Sequence, residues 1–295
     1  MLRADTWWHV YLDLIKQSGL AWVEDRAATM GAALAFYSAF SLAPLLIIVI
    51  ALAGAVFGAD AARGAVVAQM AGLVGAPAAE AIQALLKAAQ GSATSLFATV
   101  VGLVMMLVGA TTVLVELQDD LDQIWEAPRR AGSGLLSILR ARILSLGMLL
   151  AIGFLLLVSL LFSGAMAAFG SYWEAYFPGA ALILFHVSNN ALSLGAITVL
   201  FAMLFKWLPN VTIAWKDVWV GALTTAVLFS AGRLAIGLYL GRTATASAYG
   251  AAGTLVVLLL WLYYSAQVFL LGAEFTRIHA EHRRRKFVGS EPDAA

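Results

Sequence analysis

Hydrophobic positions fill this chain in long blocks, and its polar residues gather in the gaps between them. Six blocks approach or exceed the roughly 20 helical residues needed to cross a bilayer core. They run over about 33–56, 96–115, 143–166, 180–206, 218–239 and 254–274. Lipid offers backbone N–H and C=O groups no partner, so spans of this kind are helices. Ahead of them, residues 7–26 (WWHVYLDLIKQSGLAWVEDR) alternate differently. Trp8, Tyr11, Leu12, Ile15 and Trp22 share one side, with Asp13, Lys16, Gln17 and Glu24 mostly on the other, which predicts an N-terminal amphipathic helix. Two settings suit it: the lipid headgroup layer, where its aromatic rings would settle, or the protein's own core. Between the first two blocks, Val66, Val67, Met70, Leu73 and Val74 have helical spacing, as do Ile82, Leu85, Leu86 and Ala89. Pro77 and Glu80 suit the first turn of the second of these helices, so 57–95 reads as a helical hairpin on the membrane surface.

The blocks are not uniform inside. Ala27, Gly31, Ala35, Ala39 and Ala43 recur every four residues, a seam that lets another backbone approach. Pro44 should kink the same helix. The fourth block (LILFHVSNNALSLGAITVLFAMLFKWL, 182–208) carries His186, Asn189, Asn190 and Ser193 within about 100° of helical arc. Such a stripe has no use facing lipid and is expected to look inward. The fold class is therefore all-α, a single six-span membrane domain over 1–280 with a basic, disordered cytoplasmic tail over 281–295.

Composition agrees: apolar residues make up 62% of 295 and charged residues 12%, far from the balance of soluble domains. No cysteine is present, which excludes thiolate metal sites and cysteine nucleophiles. The first 30 residues hold Asp5, Asp13, Lys16, Glu24, Asp25 and Arg26, leaving no uninterrupted apolar signal, so the first span is expected to serve as the targeting signal. Net charge is only +1, but its basic residues are uneven. With six spans, 14 Lys and Arg fall on the side of both termini, 3 on the other and Arg233 within a span. The termini are thus expected in the cytoplasm.

Three stretches resemble the YihY/BrkB family of inner-membrane proteins: AALAFYSAFSLAPLL (32–46), LFKWLPN (204–210) with WKDVWVGALTTA (215–226), and SAYGAAGTLVVLLLWLYYSAQVFLLGAE (247–274). The resemblance implies a six-span protein of the bacterial inner membrane. The family has been mislabelled ribonuclease BN, and its other label, virulence factor BrkB, names a phenotype without a chemistry. Handling of envelope lipids by some relatives implies a transporter or flippase-like role.

Candidate chemistry centres on Arg233, because a charge inside a span costs about 2.5–3.5 kcal/mol on insertion scales. It either reaches the outer headgroups or a partner such as Glu174, or it faces a cavity and binds an anion. Counted from the outer ends of their spans, His186, Asn189 and Asn190 fall at a comparable depth. Tyr263, Gln267 and Glu274 form a second stripe, in the sixth span. Glu116 and Glu274, at the inner boundary, could form a proton or cation port or be simply hydrated. Asn and Ser also join membrane helices without further function.

The acidic run Glu116, Asp119, Asp120, Asp122 and Glu126 spreads around its helix, and His279 and His282 sit in a basic helix end, so no metal is expected. No GxSxG, HExxH or phosphate-binding loop occurs, and no extramembrane segment could seat RNA, so neither enzymatic activity nor a cofactor is expected. The expected function is transport or flipping of an anionic, lipid-like envelope substrate bound by His186, Asn189, Asn190, Ser193, Arg233, Tyr263 and Gln267, with membrane lipids as partners and no nucleic acid. The alternative is a non-transporting scaffold for envelope integrity.

Overall fold

A computed structural model describes residues 5–41, 64, 83, 112–128, 180–242 and 250–288. Among them the chain is all-helical, in six segments: α1 (Asp5–Glu24), α2 (Ala27–Ser41), α3 (112–124), α4 (Ala180–Trp207), α5 (Trp215–Arg242) and α6 (Gly250–Val288). Segments Trp215–Ile236 and Val256–Arg285 are each long and apolar enough to cross a membrane, while Ala27–Ser41 and Ser193–Trp207 are shorter apolar helices. The expected span at 143–166, most of the span at 96–115 and of the hairpin at 57–95, and residues 42–56 of the first span lie outside the described residues.

The core is aromatic at its centre. Phe201 and Phe205 on α4 meet Phe269 on α6 at 6.1 and 5.2 Å, and Phe201 meets Phe229 on α5 at 5.7 Å. Phe229 in turn abuts Trp261 at 5.5 Å. Rings at these separations bury large apolar areas and interlock, so three helices are fixed in register along one line.

The α5–α6 pair is closer than rings would allow. Gly221 faces Thr276 and, reciprocally, Gly272 faces Thr225, so a Cβ on either glycine would collide with the threonine opposite. Each threonine donates its hydroxyl to its own helix's glycine carbonyl one turn earlier, Thr225 to Gly221 at 2.8 Å and Thr276 to Gly272 at 2.6 Å. The hydroxyls are thereby satisfied within each helix, and what crosses the interface is shape. Higher up, Gly232 makes room for the Tyr264 ring, whose hydroxyl donates to the Leu228 carbonyl at 3.2 Å.

The small-residue seam of α2 packs on α6 as its spacing predicts. Ala27, Gly31 and Ala35 are buried, and Gln267 fills the notch over Gly31. The amphipathic helix α1 also rests on the protein's own core, but chiefly through a face other than the one read from sequence. Leu14, Ser18 and Ala21 are buried, Leu14 and Ala21 packed with Phe275 and Ile278 of α6 and with Val220 of α5; of the expected face Trp22 packs on the main core, while Tyr11, Leu12 and Ile15 stay exposed. The reason is geometric: α6 continues past the apolar block and offers α1 a wall.

With 39 residues, α6 is about 58 Å long, nearly twice a bilayer core. Residues 281–288, expected to start a disordered tail, are helical instead. Arg283 on this extension donates to Asp217 at the start of α5, which holds the extension in the fold, and Arg285 pairs with Glu281 one turn back on the same helix.

Candidate functional site

Among the described residues two non-glycines adopt left-handed backbone conformations, Arg26 at φ 55° and Glu126 at φ 48°. Each ends a helix abruptly. Arg26 breaks α1 from α2, its carbonyl accepting from Thr29 and Met30, and Glu126 closes α3, with the Ala127 N–H donating to the Asp122 carbonyl. Such a conformation disfavours side chains carrying a Cβ by about 1–2 kcal/mol, and both residues border the same polar node. Gln123 of α3 donates to the Asp25 carbonyl at 3.2 Å, joining the two corners.

At the centre of that node stands Glu274, whose side chain is 0% exposed. Its Oε2 accepts two bonds from Arg277, at 3.0 Å from Nη2 and 3.3 Å from Nε. Among the described residues Oε1 meets no N–H or hydroxyl donor, and the Asp25 carboxyl lies within hydrogen-bonding reach of Glu274. Asp25 supplies a second carboxylate near enough to act on both Glu274 and Arg277. Arg277 also reaches Glu126 at 3.4 Å and Glu281 at 3.6 Å. One guanidinium thus links the α1–α2 corner, the end of α3 and the body of α6. Glu274 and Arg277 are the members held out of water, a costly arrangement that their bidentate pairing offsets in part, while Glu126 stays open to solvent.

Behind the node, α3 carries a second buried acid. Asp120 has no hydrogen-bond partner for Oδ2 among the described residues. Burial first, then the neighbouring Glu116 and Asp119 carboxylates, push its pKa up to about 7. Burial also raises Asp119, helped by Asp122. Asp122 is spent elsewhere, accepting from the Asn210 N–H at 2.6 Å and from the Asn210 side-chain amide, so α3 pins the turn between α4 and α5.

The expected port residues therefore part company. Glu116 acts on Asp120, whereas the charged groups acting on Glu274 are Arg277 and Asp25. Gln267, expected to bind substrate, donates to the Ala27 and Ala28 carbonyls, each at 3.4 Å. Tyr263 and Ser193 are half-buried, and so is Arg233. His186, Asn189 and Asn190 lie on α4, and their side chains fall outside the described residues.

Register corrects their expected depth. Arg233 lies beside the Gly232–Tyr264 contact, and one turn from Phe229, which meets Phe201. Running back one turn along α4 from Phe201 brings Arg233 level with the Ile197 turn. Ser193 sits one turn further out, and His186 about 16 Å from that level. Counting from span ends missed this because ring packing, not loop position, sets the register.

Sequence reading also missed Arg277, Asp25 and Glu126. Only Arg277 left a signal, lying three residues after Glu274 on one helical face. The pairing of Asp217 with Arg283 joins residues 66 apart and left none.

The family described as "Virulence factor BrkB" matches residues 21–295. This chain belongs to that family. Three BrkB relatives named UPF0761 membrane protein show the range of similarity. The one from Verminephrobacter eiseniae (strain EF01-2) is 30% identical over 59% of this chain and 40% of its own length. That from Ralstonia nicotianae (strain ATCC BAA-1114 / GMI1000) is 30% identical over 65% and 43%. That from Pseudoalteromonas translucida (strain TAC 125) is 26% identical over 92% and 84%. The BrkB chain thus spans about two fifths of the length of the first two of these relatives. No solved structure matches it. The relatives' names agree with the apolar helices: this BrkB chain is a membrane protein.

Proposed function

We propose that this BrkB protein moves an anionic, lipid-like envelope substrate across the bacterial inner membrane as a six-span protein with both termini in the cytoplasm. The observation that carries the reading is the Glu274 node: a wholly buried carboxylate within hydrogen-bonding reach of a second carboxyl, held by an arginine and bounded by two left-handed corners. Helix cohesion alone does not require a buried ionic network, and apolar residues there would serve it as well. Groups of this kind inside membrane proteins mark pathways and gates. Strained backbone at such a place fits a part that changes conformation.

In this reading Glu274, Arg277 and Asp25 close the cytoplasmic end, and Glu274 exchanges a proton or cation when they part. Arg233, half-buried about 15 Å further along α5 by the α5–α6 register, attracts the substrate's negative charge. Tyr263 shares its level, and Ser193 with the rest of the α4 stripe lies further out. Membrane lipids are the partners, and no enzymatic step is invoked.

The test is translocation of a fluorescent phosphatidylglycerol analogue in proteoliposomes. Arg233→Ala and Glu274→Gln are expected to lower the rate at least tenfold, and Arg233→Lys to retain most of it. Full activity of Arg233→Ala overturns the anionic substrate site. A second reading, a non-transporting scaffold, is favoured by Gln267 and Tyr264, whose polar groups are spent on neighbouring carbonyls. It predicts no translocation above empty liposomes in a correctly folded protein.

A further inference from the structure

Three tryptophans cluster where α4 ends and α5 begins. Trp207 and Trp215 meet edge to face at 6.2 Å, and Trp215 lies 6.4 Å from Trp219 one turn along. Indoles packed this way inside a protein would be buried, yet these are 53%, 46% and 47% exposed. Large apolar rings with a polar N–H, left open together, suit an environment that is apolar on one side and wet on the other.

Two lysines frame the cluster. Lys206 is held in place: Nζ donates to the Ile213 carbonyl at 2.5 Å and stands 5.4 Å over the Trp215 ring. Lys216 is exposed beside it. Neither forms an ion pair among the described residues. The nearby acids are committed, Asp217 to Arg283 at 2.8 Å and Asp122 to Asn210. Two uncompensated positive charges therefore sit against an open aromatic surface at the end of two apolar helices.

We propose that Trp207, Trp215 and Trp219 with Lys206 and Lys216 form a docking site for an anionic phospholipid headgroup of the cytoplasmic leaflet. The indoles take the glycerol and upper acyl region, and the lysines take the phosphate. Lys206 cannot swing away without losing its carbonyl partner, so one ammonium is already oriented for the anion. The site rests on the topology proposed above, which puts the α4–α5 turn in the cytoplasm, but not on the transport step, and it stands at the other end of α5 from Arg233.

The experiment is native mass spectrometry of the full chain in detergent, titrated with phosphatidylglycerol or phosphatidylcholine. Wild type is expected to bind phosphatidylglycerol more tightly than phosphatidylcholine. Each of Lys206→Gln and Lys216→Gln should weaken phosphatidylglycerol binding by about fivefold, since a lysine near an anionic headgroup is worth about that factor. Lys206→Arg should restore it, and Trp215→Leu with Trp219→Leu should weaken both lipids. Lys216 is exposed and forms no ion pair among the described residues, so Lys216→Gln decides the matter should Lys206→Gln disturb the turn. Equal binding of the two lipids by wild type, or unchanged phosphatidylglycerol binding by Lys216→Gln, overturns the site.

Discussion

Helix α6 is held on two sides in opposite ways. Against α5 it uses size: Gly272 admits Thr225, Gly221 admits Thr276, and both hydroxyls are satisfied within their own helices. Against the α1–α2 corner and α3 it uses charge: Arg277 joins the buried Glu274 to Asp25 and to the exposed Glu126. The first interface fails when volume changes, and the second when one partner is removed. A seam of shape needs no function to explain it. A buried charge network, replaceable by apolar residues at little cost, is where function is expected.

The largest effect should come from breaking the network on one side. Arg277→Ala strands the buried Glu274 carboxylate and should destabilise the protein by about 3–5 kcal/mol, read as a shifted unfolding midpoint in a detergent titration. Replacing both partners, Glu274→Met with Arg277→Met, should recover most of that stability while abolishing translocation. A double variant as unstable as Arg277→Ala would show that the network is structural glue.

The seam comes next. Gly221→Val or Gly272→Val adds volume where a threonine already stands, and overpacking of this kind costs about 1–3 kcal/mol. Adding Thr276→Ala to Gly221→Val should relieve much of the loss, which thermal denaturation of single and double variants can measure. Failure of that rescue would contradict the reciprocal packing.

Asp120 supplies a pH test that separates α3 from both interfaces. Its folded pKa of about 7 lies above the ordinary value of 3.8, so the native state holds a proton that the unfolded chain releases. Its contribution to stability is therefore fully present below about pH 4, declines as pH rises through about 7, and is then lost. Asp120→Asn should raise stability by about 1–2 kcal/mol at pH 8 and change little at pH 4, with unfolding curves at both pH values as the check. The smallest effect is expected at Gln267→Ala, which removes two long bonds to the Ala27 and Ala28 carbonyls. Interhelical polar contacts in membranes average about 0.6 kcal/mol, so a midpoint shift well above that would assign Gln267 a larger role.

Much of this architecture was legible because its causes are local. Spacing four residues apart marked Ala27, Gly31 and Ala35 as a close-packing seam, and α6 fills it. The GxxxT spacing at Gly221 and Thr225 recurs at Gly272 and Thr276, a signal available in sequence but informative only once the two segments are known to be antiparallel neighbours. The face of α1 that packs was not legible, since its apolar residues cover more than one side and the wall they meet is built by residues more than 200 positions away. The site divided in the same way. Glu274 stood out as an acid at a span end, but Asp25, which acts on it, and Glu126, which shares its arginine, come from separate corners.

By itself the sequence determined that the chain is a membrane protein, that Trp215–Ile236 and Val256–Arg285 are apolar enough to span, and which spacings permit close approach, because these follow from transfer free energy and helical period. Only the tertiary structure decided register and pairing. It set Arg233 level with the Ile197 turn rather than with His186, turned Gln267 onto backbone carbonyls, and enclosed Glu274 with Arg277. Those outcomes depend on which rings and glycines meet between helices, and no period within a single helix encodes them.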